Sequence, residues 1–97
     1  MADDDKRAAR AMNKRYRFAN EPMGNKTVKK IPGCGPVNGQ NLNDDGYTQA
    51  KQVYGQFLVA KGDKGHFDKF LMKYVFNAGD RRAAFEAMKS YDRRYNH

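Results

Sequence analysis

The stretch IPGCGPVNG, residues 31–39, sets three glycines and two prolines inside a chain that otherwise favours helix. One reading is a plain turn. The other is that Gly33 and Gly35, lacking Cβ atoms, bring backbone N–H groups close to a large anion such as a nucleic-acid phosphate, with the start of the next helix adding partial positive charge. A Gly-x-Gly before a helix is weak evidence alone, so the flanking residues carry the decision.

Downstream, Pro36 suits the first turn of a helix running to about Asp45 and stopped by Gly46, the usual left-handed residue. Upstream, Thr27 to Ile31 fits a short helical turn. The segment of about 27–45 therefore reads as a helix-hairpin-helix, an element that holds phosphates rather than bases. Gly39, inside the second helix, is assigned to packing. Further out, Asp3 to Asp5 and KRAARAMNKRYRFA favour a first helix ended by Pro22 and Gly24, with residues 1–12 a basic, partly disordered or frayed extension. Ala50, Val53, Tyr54, Phe57, Leu58 and Lys61 follow one helical face between Thr48 and Lys61. Gly62 ends that helix and Asp63 caps another carrying Phe67, Phe70, Leu71, Tyr74 and Val75. Gly79 and Asp80 precede a last helix with Ala84, Met88, Tyr91 and Tyr95 on one stripe. The expectation is all-α: a compact bundle of short helices over 13–97, without strands.

The chain has 97 residues, 39% of them hydrophobic, so its core is thin and association would help it. Its formal net charge is +8, and residues 6–30 carry nine Lys and Arg against the one acid Glu21. Such a surface attracts nucleic acid, anionic membranes or acidic proteins. The lone cysteine, Cys34, offers neither an internal disulfide nor zinc spacing, which fits a reducing, intracellular setting with no metal and no cofactor. No apolar run is long enough for a signal or membrane span, so a soluble chain without membrane insertion is expected. His66 and His97 do not make a catalytic pair, and the chain is too small for the cleft of a hairpin-containing glycosylase or ligase. The reading is a binding protein, not an enzyme.

EPMGNKTV (21–28), PGCGPVNGQNLNDDGY (32–47) and YGQFLVAKGD (54–63) occur in an order and spacing that resembles the barrier-to-autointegration factor family, with the match running from about Asn13 through Phe76. That resemblance implies a helical homodimer that binds double-stranded DNA without sequence preference and bridges it. It also implies binding of LEM-domain proteins of the inner nuclear membrane, lamins and histones, in the nucleus (chromatin and nuclear envelope) and the cytoplasm. Carried over by position, the DNA-contacting set is Asn13, Lys14, Gly33, Cys34, Gly35, Val37, Asn38, Gly79 and Arg81. On this reading Gly33→Glu abolishes binding by placing a like charge against phosphate.

The dimer and partner set implied by the same resemblance is Tyr54, Gly55, Phe57, Leu58, Val59, Lys61, Phe67 and Phe70. From pattern alone, Gly55 inside a helix is either tolerated or marks close approach of another backbone; the resemblance favours the second. Departures also stand out. Asp80 takes the place of a usual lysine, leaving Arg81 or Arg82 as substitutes, and Gln40 and Asn41 replace a lysine pair. Phe70 stands where a tryptophan is usual, and no Ser or Thr precedes Thr27. These departures leave a second reading, a paralogue with weakened DNA binding that acts mainly as a dimerisation and partner-binding module.

Overall fold

The computed structural model describes residues 13–96; the expected basic extension, residues 1–12, and His97 lie outside the described residues. Residues 13–20 are helical (α1). A single 3-10 turn, Val28–Lys30, follows, then α2 (Pro36–Asp44), α3 (Ala50–Val59), α4 (Lys64–Met72) and α5 (Ala78–Tyr95). Among the described residues the extended pairing is limited to one isolated bridge, Thr27 to Gln49. The all-helical expectation therefore holds. The upstream arm of the hairpin is shorter than a regular helix because Pro32 and Gly33 follow Lys30 too closely for α-helical bonding to propagate.

Local chemistry sets the boundaries. Gly46 is left-handed at φ +91°, closing α2 as expected. At the start of α3, Gln52 Oε1 accepts the Thr48 and Gln49 N–H groups at 2.9 Å, so the side chain three residues in caps the helix backwards. Asp63 Oδ2 accepts the His66 N–H at 3.0 Å and opens α4. Asn77 Oδ1 accepts the Asp80 N–H at 2.8 Å, which starts α5 at Ala78 and puts Gly79 and Asp80 inside its first turn rather than before it.

The core runs from Phe18 on α1 to Met88 on α5. Phe57, Phe67 and Phe85 meet at its centre, with the Phe57 and Phe67 rings 5.6 Å apart edge-on and Phe57 and Phe85 5.9 Å apart. Such pairs add roughly 1 kcal/mol beyond the area they bury. Phe57 (3% exposed) and Phe67 (0%) thus belong to the chain's own interior and have no surface to give a partner, a correction to the interface set. Tyr91 packs on Phe18 and Tyr54, and its hydroxyl accepts the Met23 N–H at 3.2 Å, fastening the loop after α1 to α5.

Val75 departs from its expected stripe. After α4 ends, the chain turns through φ +67° at Val75, and the side chain is 68% exposed instead of packed. A β-branched residue is strained in that region by about 1–2 kcal/mol, whereas asparagine is tolerated. Val75→Asn is expected to stabilise the fold by about 1 kcal/mol, a melting rise of roughly 4–8 °C; a lower melting temperature in calorimetry would contradict the strain.

Candidate nucleic-acid interface

The hairpin is built from the inside. Cys34 N–H donates to the Ile31 carbonyl at 2.9 Å, and Gly33 sits at φ +86°, a conformation that disfavours side chains. A Cβ there would overlap the Asp80 carbonyl oxygen and lie 3.1 Å from the Asp80 Cα. Gly33 is therefore glycine so that the hairpin can seat on the first turn of α5, not to leave room for a ligand, which corrects the reason for expecting Gly33→Glu to abolish binding. Gly39 bears on packing as expected: a Cβ would stand 3.0 Å from the Lys29 Cγ and 3.6 Å from the Cys34 Sγ.

Asn38 is buried and holds the hairpin with both ends of its amide. Its Oδ1 accepts the Gly35 N–H at 3.1 Å and its Nδ2 donates to the Gly33 carbonyl at 3.2 Å. The side chain assigned to DNA is thus spent inside the loop, and so is the Gly35 amide. Cys34 is also buried, and burial pushes its thiol up to about 11. What the residue offers is its carbonyl, which accepts from Lys14 Nζ at 2.9 Å and ties α1 to the hairpin. Partial burial, the largest cause, lowers the Lys14 ammonium below the usual lysine pKa.

The helix starts leave backbone donors that no helix can satisfy. The first N–H groups of a helix lack intrahelical acceptors, and α2 begins at a glycine N-cap without a side-chain cap. Pro36 has no N–H, so Val37 and Asn38 N–H remain without a partner among the described residues, beside a Val37 side chain that is 67% exposed. On α5 the Asn77 cap takes the Asp80 amide and leaves Ala78 and Gly79 N–H likewise. Gly33 against the Asp80 backbone, and Asn38 Nδ2 3.5 Å from Asp80 Oδ2, bring the first turns of α2 and α5 near one another, and each helix start carries partial positive charge. Helix starts of this kind are chemically suited to an anion such as phosphate.

Not every expected residue joins it. Arg81 Nη1 donates to the Phe76 carbonyl at 2.9 Å and its Nε lies 3.9 Å from Asp68 Oδ2, so its guanidinium is turned into the fold. Exposed Arg82 instead faces Arg15 across a groove of about 430 Å³ that includes Gly79. The sequence leaves Arg81 and Arg82 open as substitutes, and the start of α5 decides between them by turning Arg81 inward. Asp80 brings a carboxylate within 3.5 Å of the Asn38 amide, next to the site. Gln40 Nε2 donates to Asp44 Oδ1 at 2.8 Å and Asn41 Nδ2 to the Tyr74 carbonyl at 3.3 Å, so α2 presents no cation.

The sequence comparisons agree on one family. The sequence model described as barrier to autointegration factor matches residues 9–95. This chain belongs to the barrier-to-autointegration factor family. It is 42% identical over 71 residues to Barrier-to-autointegration factor of Drosophila melanogaster, covering 73% of this chain and 78% of the relative. Against Barrier-to-autointegration factor 1 of Caenorhabditis elegans it is 34% identical over 79 residues, covering 80% and 89%. Against the Homo sapiens protein of the same name it is 37% identical over 75 residues, covering 76% and 84%.

A second surface lies on α3. Gly55, Leu58 and Val59 share one helical face by their three- and four-residue spacing, Val59 is 74% exposed, and nothing lies within 4 Å of a Cβ built on Gly55. Tyr54 is half-buried and donates through its hydroxyl to Asp92 Oδ1 at 2.7 Å, Phe70 packs edge-on against Tyr47, and Lys61 is exposed. Among the described residues no helix is long and apolar enough to cross a membrane, and no cluster of three His, Cys, Asp or Glu is arranged to hold a metal.

Proposed function

We propose that this DNA-binding chromatin protein of the barrier-to-autointegration factor family grips double-stranded DNA by its phosphates, without reading bases, through the adjoining N-termini of α2 and α5. The observation that supports this reading is the seating of Gly33 on Asp80, which brings together two helix starts whose Val37, Asn38, Ala78 and Gly79 amides have no carbonyl partner, with Lys14 tied to the Cys34 carbonyl in the same hairpin. Asn13 and the exposed pair Arg15 and Arg82 extend the positive flank. The protein acts by binding, not catalysis.

In this proposal two copies associate through the Gly55, Leu58 and Val59 face of α3, with Tyr54, Lys61 and Phe70 at its margin. The homodimer then carries two hairpins and bridges two DNA segments. LEM-domain proteins, lamins and histones are the partners the family resemblance offers, with chromatin, the nuclear envelope and the cytoplasm as locations. Residues 13–97 form the domain, and Lys6, Arg7 and Arg10 of the extension add phosphate contacts. Gel shifts with unrelated duplexes across a salt series, beside light scattering with and without DNA, test the reading. Equal affinities that fall steeply with salt and a dimeric mass are expected; a monomer that never binds would sink it.

Asp80 and the neutral face of α2 favour the second reading, a relative with weakened DNA affinity that serves as a dimerisation and partner module. Asp80→Lys removes a carboxylate and adds an ammonium beside the site, so duplex affinity is expected to rise about 10-fold at low salt. No change on gel shift would place DNA away from the start of α5.

A further inference from the structure

Beyond the hairpin, a groove of about 390 Å³ separates α1 from the 3-10 turn, and Lys14, Arg17, Lys26, Lys29 and Lys30 line it against one acid, Glu21. That acid is already engaged. Lys26 Nζ pairs with Glu21 Oε1 at 2.9 Å and also donates to the Arg17 carbonyl. The Lys26 hydrogen bond, first, together with the nearby Arg17 and Lys30 charges, holds the Glu21 carboxyl below its usual range. Among the described residues Arg17, Lys29 and Lys30 are exposed and make no ion pair.

Like charges gathered this closely repel one another unless anions lie among them. Resting on the DNA reading above, we infer that this groove is a second phosphate track, which holds the stretch of duplex backbone next to the one gripped by the hairpin. Continuity points to the same duplex: Lys14 lines the groove and at the same time donates to the Cys34 carbonyl in the hairpin. The donor chemistry points to a line of phosphates rather than one small anion. The amides of Val28, Lys30 and Ile31 are already bonded to the Thr48, Thr27 and Val28 carbonyls, so side-chain cations are the groove's main donors. Lys29 connects the two regions physically, because its stem lies against Gly39 of α2. With α2 itself bearing no cation, the duplex leans toward the α1 side of the hairpin.

The test compares the full-length chain with the triple variant Arg17→Gln, Lys29→Gln, Lys30→Gln, measuring affinity for a random-sequence duplex across salt concentrations. Each phosphate contact contributes about 0.9 to the slope of log K against log salt, so the triple variant is expected to lose about 2–3 from that slope. The double variant Arg17→Gln, Lys30→Gln spares the Lys29 stem on Gly39 and is expected to lose about 2, with an unchanged melting temperature. A wild-type chain that binds and a double variant with the same slope would overturn the groove and leave the hairpin standing. A wild-type chain that does not bind duplex at all would overturn the DNA reading, and the groove with it.

Discussion

Val37→Glu is expected to leave the fold as stable as before, or slightly more so, and to remove DNA binding. Val37 is the second residue of α2, with an exposed side chain and an amide that no helical carbonyl accepts. A carboxylate in the first turn interacts favourably with the helix macrodipole, by about 0.3–1 kcal/mol, and the valine it replaces gives up little burial. Against DNA the same carboxylate stands where a phosphate would dock. Like charges brought together in an interface cost several kcal/mol, so affinity should fall roughly 100-fold or more. A melting curve and a gel shift on the same preparation read the two signs. Equal binding by Val37→Glu and wild type would remove α2 from the interface.

Gly33→Ala is expected to be the most damaging single methyl in the chain. At φ +86° an alanine costs about 1–2 kcal/mol in backbone strain, and its Cβ would overlap the Asp80 carbonyl oxygen, adding roughly 1–3 kcal/mol of overpacking. A total near 3 kcal/mol is a large fraction of the ~5–15 kcal/mol that holds a small domain, and corresponds to a melting drop of roughly 12 °C or more. Losing the seat on α5 also separates the two helix N-termini, so binding should weaken with it. Gly35→Ala is the contrast. Gly35 has an ordinary extended φ of −105°, and a Cβ would meet only Asn38 Oδ1 at 3.7 Å. It should melt within about 1 kcal/mol of wild type. Equal losses from the two substitutions would show that hairpin docking on α5 is not what Gly33 provides.

The contrast between these glycines also marks how far the sequence could be read. Pro36, Gly46 and the spacing of Val53 and Phe57 are local signals, and they placed the hairpin, α2 and α3 within a residue or two. Gly33 needs to be glycine because of Asp80, 47 positions away in the chain, and no local pattern carries that. Apolar periodicity likewise identified Phe57 and Phe67 as a buried stripe without saying whether the burial is against the same subunit or another. The resemblance puts Asn38 among the DNA contacts; its burial follows from closing the loop on the Gly33 carbonyl and Gly35 amide. Arg81 and Arg82 are neighbours of equal charge, and only the Asn77 cap, by fixing the phase of α5, sends the first inward and leaves the second exposed.

The basic excess of residues 6–30 was plain in the sequence, yet its division was not. Lys14 goes to the hairpin and Lys26 to Glu21, while Arg17, Lys29 and Lys30 are left facing solvent. That sorting depends on the loop after α1 folding back so that its lysines meet the helix they follow.

Amide proton and nitrogen shifts of the wild-type chain, followed during titration with a short random-sequence duplex, read out whether amides at the starts of α2 and α5 hold phosphate. The Val37, Asn38, Ala78 and Gly79 amide protons are expected to move downfield furthest, in step with one another and with complex formation. Saturating binding that leaves those four resonances in place and moves others would contradict it.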